Sequence, residues 1–363
     1  MSASPPFVGV EFLRPLDSRV ALTRHKLIDL LSSINLALIS MPHLGRSLLE
    51  TKSLSRSQIF SLFEKANQLE ASFQKNGNFI DAAPALQNKV LACLFFEPST
   101  RTRMSFQIAA YRLGLHVTVL ESSATSSLSK GETPLDTVLN IAALQPDALV
   151  VRYGNWPELG PLLEELSIPV LNAGSGQSAH PSQALLDAYT IWRERGQLEK
   201  ERVLIFGDIL HSRVARSNIE VLQKMGAQVG LCGPADWLSL GSENDSASGA
   251  PIQKFSTLEE GLKWASVCMG LRVQRERHID GRAFDSAAYH AEFGLNQNRL
   301  ALFAKDGLLM HPGPINHGVE FSSEVLQDPR SRVLKQVSYG VLIRGALLVR
   351  ALQPSLLQSL EKE

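Results

Sequence analysis

The sequence predicts an α/β protein built from two doubly wound parallel-sheet domains with a functional cleft between them. Three observations predict it. Apolar runs of strand length alternate with helical patterns in two successive series; a long helical pattern at 182–195, stopped by Gly196, separates them; and the segments richest in ligand-type side chains fall just beyond predicted strands. At 363 residues the chain has room for two cores.

Ser55 and Gln58 have capping-box spacing, and Ile59, Leu62, Phe63, Ala66, Leu69 and Phe73 follow at helical intervals, predicting an amphipathic first helix. Strands at 90–96, 116–120, 148–151 and 168–171 then alternate with helices at 104–113, 134–143 and 157–166, the first of these stopped by Gly114. The second series opens with the apolar run 202–206 leading into Gly207-Asp208. A helix at 212–225 stopped by Gly226 follows, with strands at 229–232, 267–273 and 308–311. The stretch 239–250, rich in Ser, Gly, Asn and Asp, reads as a loop. A last helix at 332–352 is expected to bury Val337, Val341, Leu348 and Leu352. These patterns divide the chain into an extension at 1–42, a first domain at 43–185, a second at 186–335 and a C-terminal helix, 336–363, that packs back on the first domain.

The 36 basic and 36 acidic residues cancel, so overall charge gives no reason to expect a nucleic acid or an anionic membrane as partner, and anion binding must be local. Cys93, Cys232 and Cys268 lie in apolar runs without C-x-x-C spacing. That argues against a disulfide framework and a zinc site, and suits a reducing cytoplasm. No apolar run approaches the roughly 20 residues of a membrane span, and residues 1–15 lack the charged-then-apolar order of a secretory signal. Arg14, Arg19, Arg24 and Lys26 alternate with Glu11 and Asp17, which does not favour a transit peptide.

The most informative stretch is Phe95-Phe96-Glu97-Pro98-Ser99-Thr100-Arg101-Thr102-Arg103, which closes one predicted strand and opens a helix. Free N–H groups at a helix start, hydroxyls and a guanidinium converge there where the helix dipole favours negative charge, so the expected ligand is a phosphate. Six further segments lie beyond predicted strands or on loops: 126–133 with Lys130, Val151-Arg152, 172–183 with His180 and Gln183, 207–213 with Arg213, Leu271-Arg272-Val273-Gln274, and 310–316 around Gly313-Pro314. Singly each is weak, since a histidine before a helix is ordinarily a cap and a lysine on a serine-rich loop is ordinarily solvated. Their order and spacing are specific.

Taken together these motifs resemble the aspartate carbamoyltransferase catalytic chains of the aspartate/ornithine carbamoyltransferase superfamily, over roughly residues 43–352. The resemblance implies transfer of the carbamoyl group of carbamoyl phosphate to the amine of L-aspartate, in pyrimidine biosynthesis, without metal or organic cofactor. It implies that Ser99, Thr100, Arg101 and Thr102 cradle the phosphate and that Arg152 adds a second guanidinium, whose planar fork suits oxyanions. His180 and Thr102 would donate to the carbonyl oxygen, while Gln183 and the carbonyls of Gly313 and Pro314 would accept from the carbamoyl NH2. Arg213 would clamp the α-carboxylate of aspartate, Arg272 with Gln274 the β-carboxylate, and Lys130 would touch both substrates. Glu97 is expected to brace arginines. In the family the loop bearing Lys130 comes from a neighbouring subunit, so a homotrimer with shared sites is implied; further assembly with regulatory or dihydroorotase chains stays open.

Three departures from the family pattern stand out: Ser175-Gly176 where Asp-Gly is usual, His317 where Arg is usual, and Tyr339-Gly340 where Asn-Gly is usual. The ornithine branch would carry His-Cys-Leu-Pro where this chain has His311-Pro312-Gly313-Pro314, and would lack Arg272-Val273-Gln274. A silent scaffold would have lost Arg101, Lys130, His180 or Arg272, and a nicotinamide-dependent dehydrogenase would show a G-x-G-x-x-G turn.

Overall fold

The computed structural model describes residues 46–121, 131–239, 251–274, 284–353 and 355. The extension at 1–42, Lys130 and the 240–250 part of the polar loop lie outside the described residues.

Helix α1 (Arg56–Asn76) starts where its capping box predicts: the Ser55 hydroxyl accepts from the Gln58 N–H at 3.2 Å, and the Ser55 N–H donates to Gln58 Oε1 at 3.1 Å. The first sheet follows. Its elements are β1 (Val90–Phe95), α2 (Thr100–Arg112), β2 (His116–Glu121), α3 (Pro134–Ala143), β3 (Ala148–Tyr153), α4 (Trp156–Glu165) and β4 (Val170–Ser175). Helix α5 (Pro181–Arg195) leads to the second sheet, with β5 (Arg202–Phe206), α6 (Arg213–Lys224), β6 (Gln228–Cys232), β7 (Gln253–Phe255), α7 (Leu258–Trp264), β8 (Val267–Gly270), α8 (Ser286–Phe293) and β9 (Leu308–Met310); helix α9 (Val333–Leu352) closes the chain's described fold.

Both sheets are parallel, with strand orders β2-β1-β3-β4 and β7-β6-β5-β8-β9. The order reverses beside β1 in the first and beside β5 in the second. Loops leaving these two strands therefore open at the switch points where doubly wound sheets bind ligands. One continuous core joins the halves, through Leu185 and Ala188 of α5, Ile219 and Leu222 of α6 and Ile343 and Leu347 of α9. Each leucine fully buried in this seam contributes about 1.5–3 kcal/mol. Helix α9 lies against α1, α2 and α5, and Gly345 permits the close approach, since a Cβ there would stand 2.9 Å from Leu69 Cδ1.

Several boundaries differ from the sequence reading for identifiable reasons. Helix α2 begins at Thr100 rather than 104, so the whole Thr100-Arg101-Thr102 segment is helical. Strand β4 begins at Val170 rather than 168, because Pro169 has no N–H to offer the ladder. Strand β8 ends at Gly270 rather than 273: the N–H groups of Val273 and Gln274 turn to the carboxylates of Glu320 and Asp208. Strand β7 and helices α7 and α8 fall where no regular element is predicted. Helix α7 has a readable signal in Thr257-x-x-Glu260, and the Thr257 hydroxyl does accept from the Glu260 N–H, at 3.3 Å.

The expected buried stripe of α9 needs correction. Leu348 is buried as expected, but Val337 is 48% exposed and Val341 and Leu352 are half-buried, whereas Gln336, Tyr339, Ile343, Ala346, Leu347 and Arg350 face inward. Polar partners explain the rotation: Arg350 Nη1 donates to the carbonyls of Arg46 and Ser47 at 2.9 and 3.2 Å, and Gln336 accepts from His311. The three cysteines are buried free thiols; burial pushes those of Cys93 and Cys232 up to about 12, which leaves them unreactive at neutral pH. Among the described residues no helix is long and apolar enough to cross a membrane.

Candidate active site

Ser99 occupies the N-cap position of α2 with extended backbone, yet its hydroxyl makes no capping bond. The side chain and the first-turn N–H groups of α2 are left to an external acceptor. Thr102 is buried at the base of this turn and Arg101 is exposed at its rim. The Gly313–Pro314 peptide, which is cis, lies over Arg101 from the second half of the chain. Gly313 is needed there, with φ of +68° and a Cβ position only 3.3 Å from Arg101 Cζ.

Pairing of β1 with β3 sets Arg152 beside Phe95, so its guanidinium reaches the same strand end. Glu97 stands between two arginines, with Oε2 3.4 Å from Arg152 Nε and 3.5 Å from Arg213 Nη1. Arg152 Nη1 also donates to the Ala173 carbonyl at 3.3 Å, and Arg213 Nη1 to the Gly176 carbonyl at 2.8 Å. Gly174, at φ of +127°, makes room for both: a Cβ would lie 2.9 Å from Arg152 Nη1 and 3.2 Å from Arg213 Cζ. The departure at Ser175 is absorbed locally. Its hydroxyl accepts from the Ala179 N–H at 3.0 Å and donates to the Ala179 carbonyl at 3.1 Å, closing the turn before α5.

His180 precedes α5 and makes no side-chain cap, and its ring is buried with Nδ1 lacking a partner among the described residues. Burial, and then the charges of Arg213, Arg152 and Arg344, hold it well below the usual histidine range, so it is a neutral donor at physiological pH. One turn on, Gln183 Nε2 donates to Asp187 Oδ1 at 2.9 Å. Asp187, fully buried, also accepts from Gln336 Nε2 at 2.8 Å and from Asn218 Nδ2 at 2.9 Å. Gln336 in turn accepts from the His311 N–H at 2.9 Å, and His311 Nδ1 accepts from the Gly313 N–H at 2.9 Å.

Beyond β5 and β8, carboxylates organise the backbone. Asp208 accepts from His211 Nδ1 at 2.8 Å and from the Gln274 N–H at 3.1 Å, while Gln274 Nε2 donates to the His211 carbonyl at 2.9 Å. Glu320 accepts from the N–H groups of Val273 and Asn316 and, at 2.8 Å, from Asn316 Nδ2. Arg272 is thereby held between Val273 and Gln274 on one side and, on the other, Leu271, whose N–H donates to the Phe206 carbonyl at 2.8 Å. His317 sits exposed at the edge, 3.5 Å from Ser323 Oγ, and Tyr339 packs edge-on against Tyr189, away from the cleft.

These parts enclose a cleft of about 380 Å³. Ser99, Thr100, Arg101, Thr102, Arg152, His180, Gln183, Arg213, Arg272, Gln274, Gly313 and Pro314 all line it; Lys130 lies outside the described residues. The sequence reading missed Arg344 and Gln336. Arg344 is a buried cation over the Phe106 ring, and burial lowers its pKa to about 10. A lone arginine inside the apolar run 341–349 was its signal. Among the described residues no group of three or more His, Cys, Asp or Glu could hold a metal ion.

Five arginines line this cleft, with a neutral imidazole among them, so the site attracts anions and offers donors to an oxygen that gains charge. Fold and site together define a two-domain transferase that works on anionic substrates between its sheets. Residues 46–193 match the carbamoyl-P binding domain of aspartate/ornithine carbamoyltransferases, and residues 199–351 match the Asp/Orn binding domain. The aspartate carbamoyltransferase catalytic subunit of Sorangium cellulosum is 44% identical over 307 residues, 85% of this chain and 92% of the relative; that of Agrobacterium fabrum is 42% identical over 312 residues, 86% and 96%. Aspartate transcarbamoylase from Trypanosoma cruzi, solved in complex with carbamoyl aspartate and phosphate, superposes with a TM-score of 0.75 at 29% identity, covering 85% of this chain and 97% of that one. The catalytic subunit of M. Jannaschii aspartate transcarbamoylase gives 0.73 at 27% identity, covering 85% and 98%. The chain belongs to the aspartate/ornithine carbamoyltransferase family.

Proposed function

We propose that this cleft transfers the carbamoyl group of carbamoyl phosphate to the amine of L-aspartate, giving N-carbamoyl-L-aspartate and phosphate, as a step of pyrimidine synthesis. The observation that carries the reading is the convergence of five arginines and a neutral histidine on one cleft between two sheet switch points. The relatives' names and the ligands of the trypanosomal structures, which include carbamoyl aspartate and phosphate, support the same chemistry.

The division of labour in this reading is the one the family resemblance implies. Ser99, Thr100, Arg101, Thr102 and Arg152 hold the phosphate at the helix start, where charge and N–H dipoles act together. His180 and Thr102 donate to the carbonyl oxygen as the aspartate amine attacks. Gln183 and the carbonyls of Gly313 and Pro314 accept from the carbamoyl NH2. Arg213, Arg272 and Gln274 hold the two carboxylates of aspartate, and Lys130 serves both substrates. The new C–N bond forms as the C–O bond to phosphate breaks, and the departing phosphate takes the proton the amine loses, so the protein supplies orientation and charge more than a base. In this reading, with domains at 43–185 and 186–335, the first domain takes the phosphate and the second takes aspartate and adds the Gly313 and Pro314 carbonyls to the carbamoyl NH2.

The enzyme is a cytoplasmic homotrimer in this reading. Met104, Ile108 and Tyr111 form an exposed apolar stripe on α2, the helix that begins with the phosphate cradle, which supports association of like chains beside the site.

The test is direct: purified chain with carbamoyl phosphate is offered L-aspartate or L-ornithine and the carbamoylated product is measured. Product with aspartate alone is expected, because arginines at the amine site repel the side-chain ammonium of ornithine. Carbamoylation of ornithine, or of neither, would overturn the assignment.

A further inference from the structure

We infer that Asp187 is a positioning residue for donor recognition: its carboxylate fixes which end of the Gln183 side-chain amide faces the cleft. The inference rests on the proposed role of Gln183 as acceptor for the carbamoyl NH2. An amide presents an oxygen at one end and an NH2 at the other, and nothing in its own shape chooses between them. An ionised carboxylate accepts and cannot donate, so the NH2 of Gln183 must turn toward Asp187, at 2.9 Å, and its oxygen toward the cleft that the residue lines.

The same carboxylate oxygen accepts from Gln336 Nε2 at 2.8 Å, which orients that second amide too; its oxygen meets the His311 N–H, and His311 meets the Gly313 N–H. The other oxygen takes Asn218 Nδ2 at 2.9 Å. One buried group therefore sets the polarity of the Gln183 amide and, through Gln336 and His311, braces the Gly313-Pro314 turn on the opposite side of the carbamoyl position. With an amide in its place, residue 187 would offer an oxygen at one end only; an NH2 standing at the Oδ1 end would face the NH2 groups of Gln183 and Gln336, and Gln183 would flip to keep its bond, aiming NH2 at NH2. Its surroundings are neutral amides from α5, α6 and α9, with Arg344 of α9 the charged neighbour that favours the ionised form. Burial outweighs those partners and raises the Asp187 carboxyl to about 6, so acid should act like the amide substitution.

The experiment compares binding of carbamoyl phosphate and acetyl phosphate, which replaces the NH2 by a methyl group and keeps the phosphate, on the intact enzyme and on Asp187→Asn and Gln183→Met. Wild type should prefer carbamoyl phosphate, and Asp187→Asn should cut that preference about tenfold or more while acetyl phosphate affinity stays within about twofold. A general structural defect would weaken both ligands alike, and that result overturns the inference. Gln183→Met separates the two readings. If it leaves the preference intact, the role of Gln183 is wrong; if it abolishes the preference and Asp187→Asn does not, the positioning by Asp187 is wrong. Should Asp187→Asn fail to fold, the wild type still decides, because its preference should decline as pH falls through about 6. A preference that stays constant from pH 8 to about 5 contradicts the inference.

Discussion

The two strand ends that face each other across the cleft use carboxylates in opposite ways. At the end of β1, Glu97 is partly exposed, with 30% of its side chain accessible, and stands 3.4–3.5 Å from the two arginines it serves. At the ends of β5 and β8, Asp208 and Glu320 are fully buried and bind backbone N–H groups. Loose pairing keeps Arg152 and Arg213 in place at little cost when a substrate anion takes over their charge. Buried bonds instead hold the chain around Arg272 and Gln274 in an irregular path that a strand would not follow. Chemistry is concentrated at the first end, and architecture that aims it at the second.

The largest effect should come from the first end. Arg101→Ala is expected to lower turnover by about 10²–10³, or 2.7–4 kcal/mol, as for loss of one transition-state donor. Because Arg101 is exposed, thermal melting should leave stability within about 0.5 kcal/mol of wild type. Glu320→Gln should do the reverse. The glutamine oxygen can serve only one of the two buried N–H groups of Val273 and Asn316 and its NH2 faces the other, at about 1–3 kcal/mol, and a fall in melting temperature of roughly 2–4 °C per kcal/mol is expected. Glu97→Gln, by contrast, should change stability by less than about 1 kcal/mol. Equal destabilisation by the two glutamate variants would erase the contrast between the strand ends.

A smaller and pH-dependent effect belongs to His311, which bridges the ends. Burial, with the Arg101 charge, lowers its pKa to about 3, below the unfolded value of 6.5, so the unfolded chain binds the proton more readily. Its contribution is present above about pH 6.5 and lost as pH falls toward 3, at about 1.4 kcal/mol per unit. Asp187, whose carboxyl burial raises to about 6, opposes this trend as pH falls through that value, and the burial that raises Glu320 acts in the same direction, so the histidine is read from a difference. Wild type minus His311→Asn, followed by denaturant melts from pH 7 to 4.5, should show that slope. A pH-independent difference would mean the imidazole is not buried as a neutral group.

Legibility in the sequence followed the same division. The cradle at 99–102, Arg152, His180 and Arg213 were readable because each follows an apolar run or stands at a helix start, and the structure gathers them into one cleft. The turn beyond β8 was misread as strand through 273, since hydropathy does not reveal that Glu320, far along the chain, replaces the ladder. Val337 was taken as buried on apolar character, yet Gln336 faces inward because a distant carboxylate and a backbone N–H await it. Short elements such as β7 carry too few apolar positions for a period to show. Periodicity reports local burial, whereas long-range polar partners decide the remainder.

The central claim is that the first strand end reads the donor and the second reads aspartate. Calorimetric titration of wild type and Arg272→Ala tests it most directly, first with carbamoyl phosphate alone and then with L-aspartate after saturation with a non-reacting phosphonate analogue of the donor. Carbamoyl phosphate affinity should stay within about twofold of wild type while aspartate affinity falls about a hundredfold, as expected for a half-buried charge-assisted clamp worth about 1.5–3 kcal/mol. Equal losses for both ligands would contradict the division.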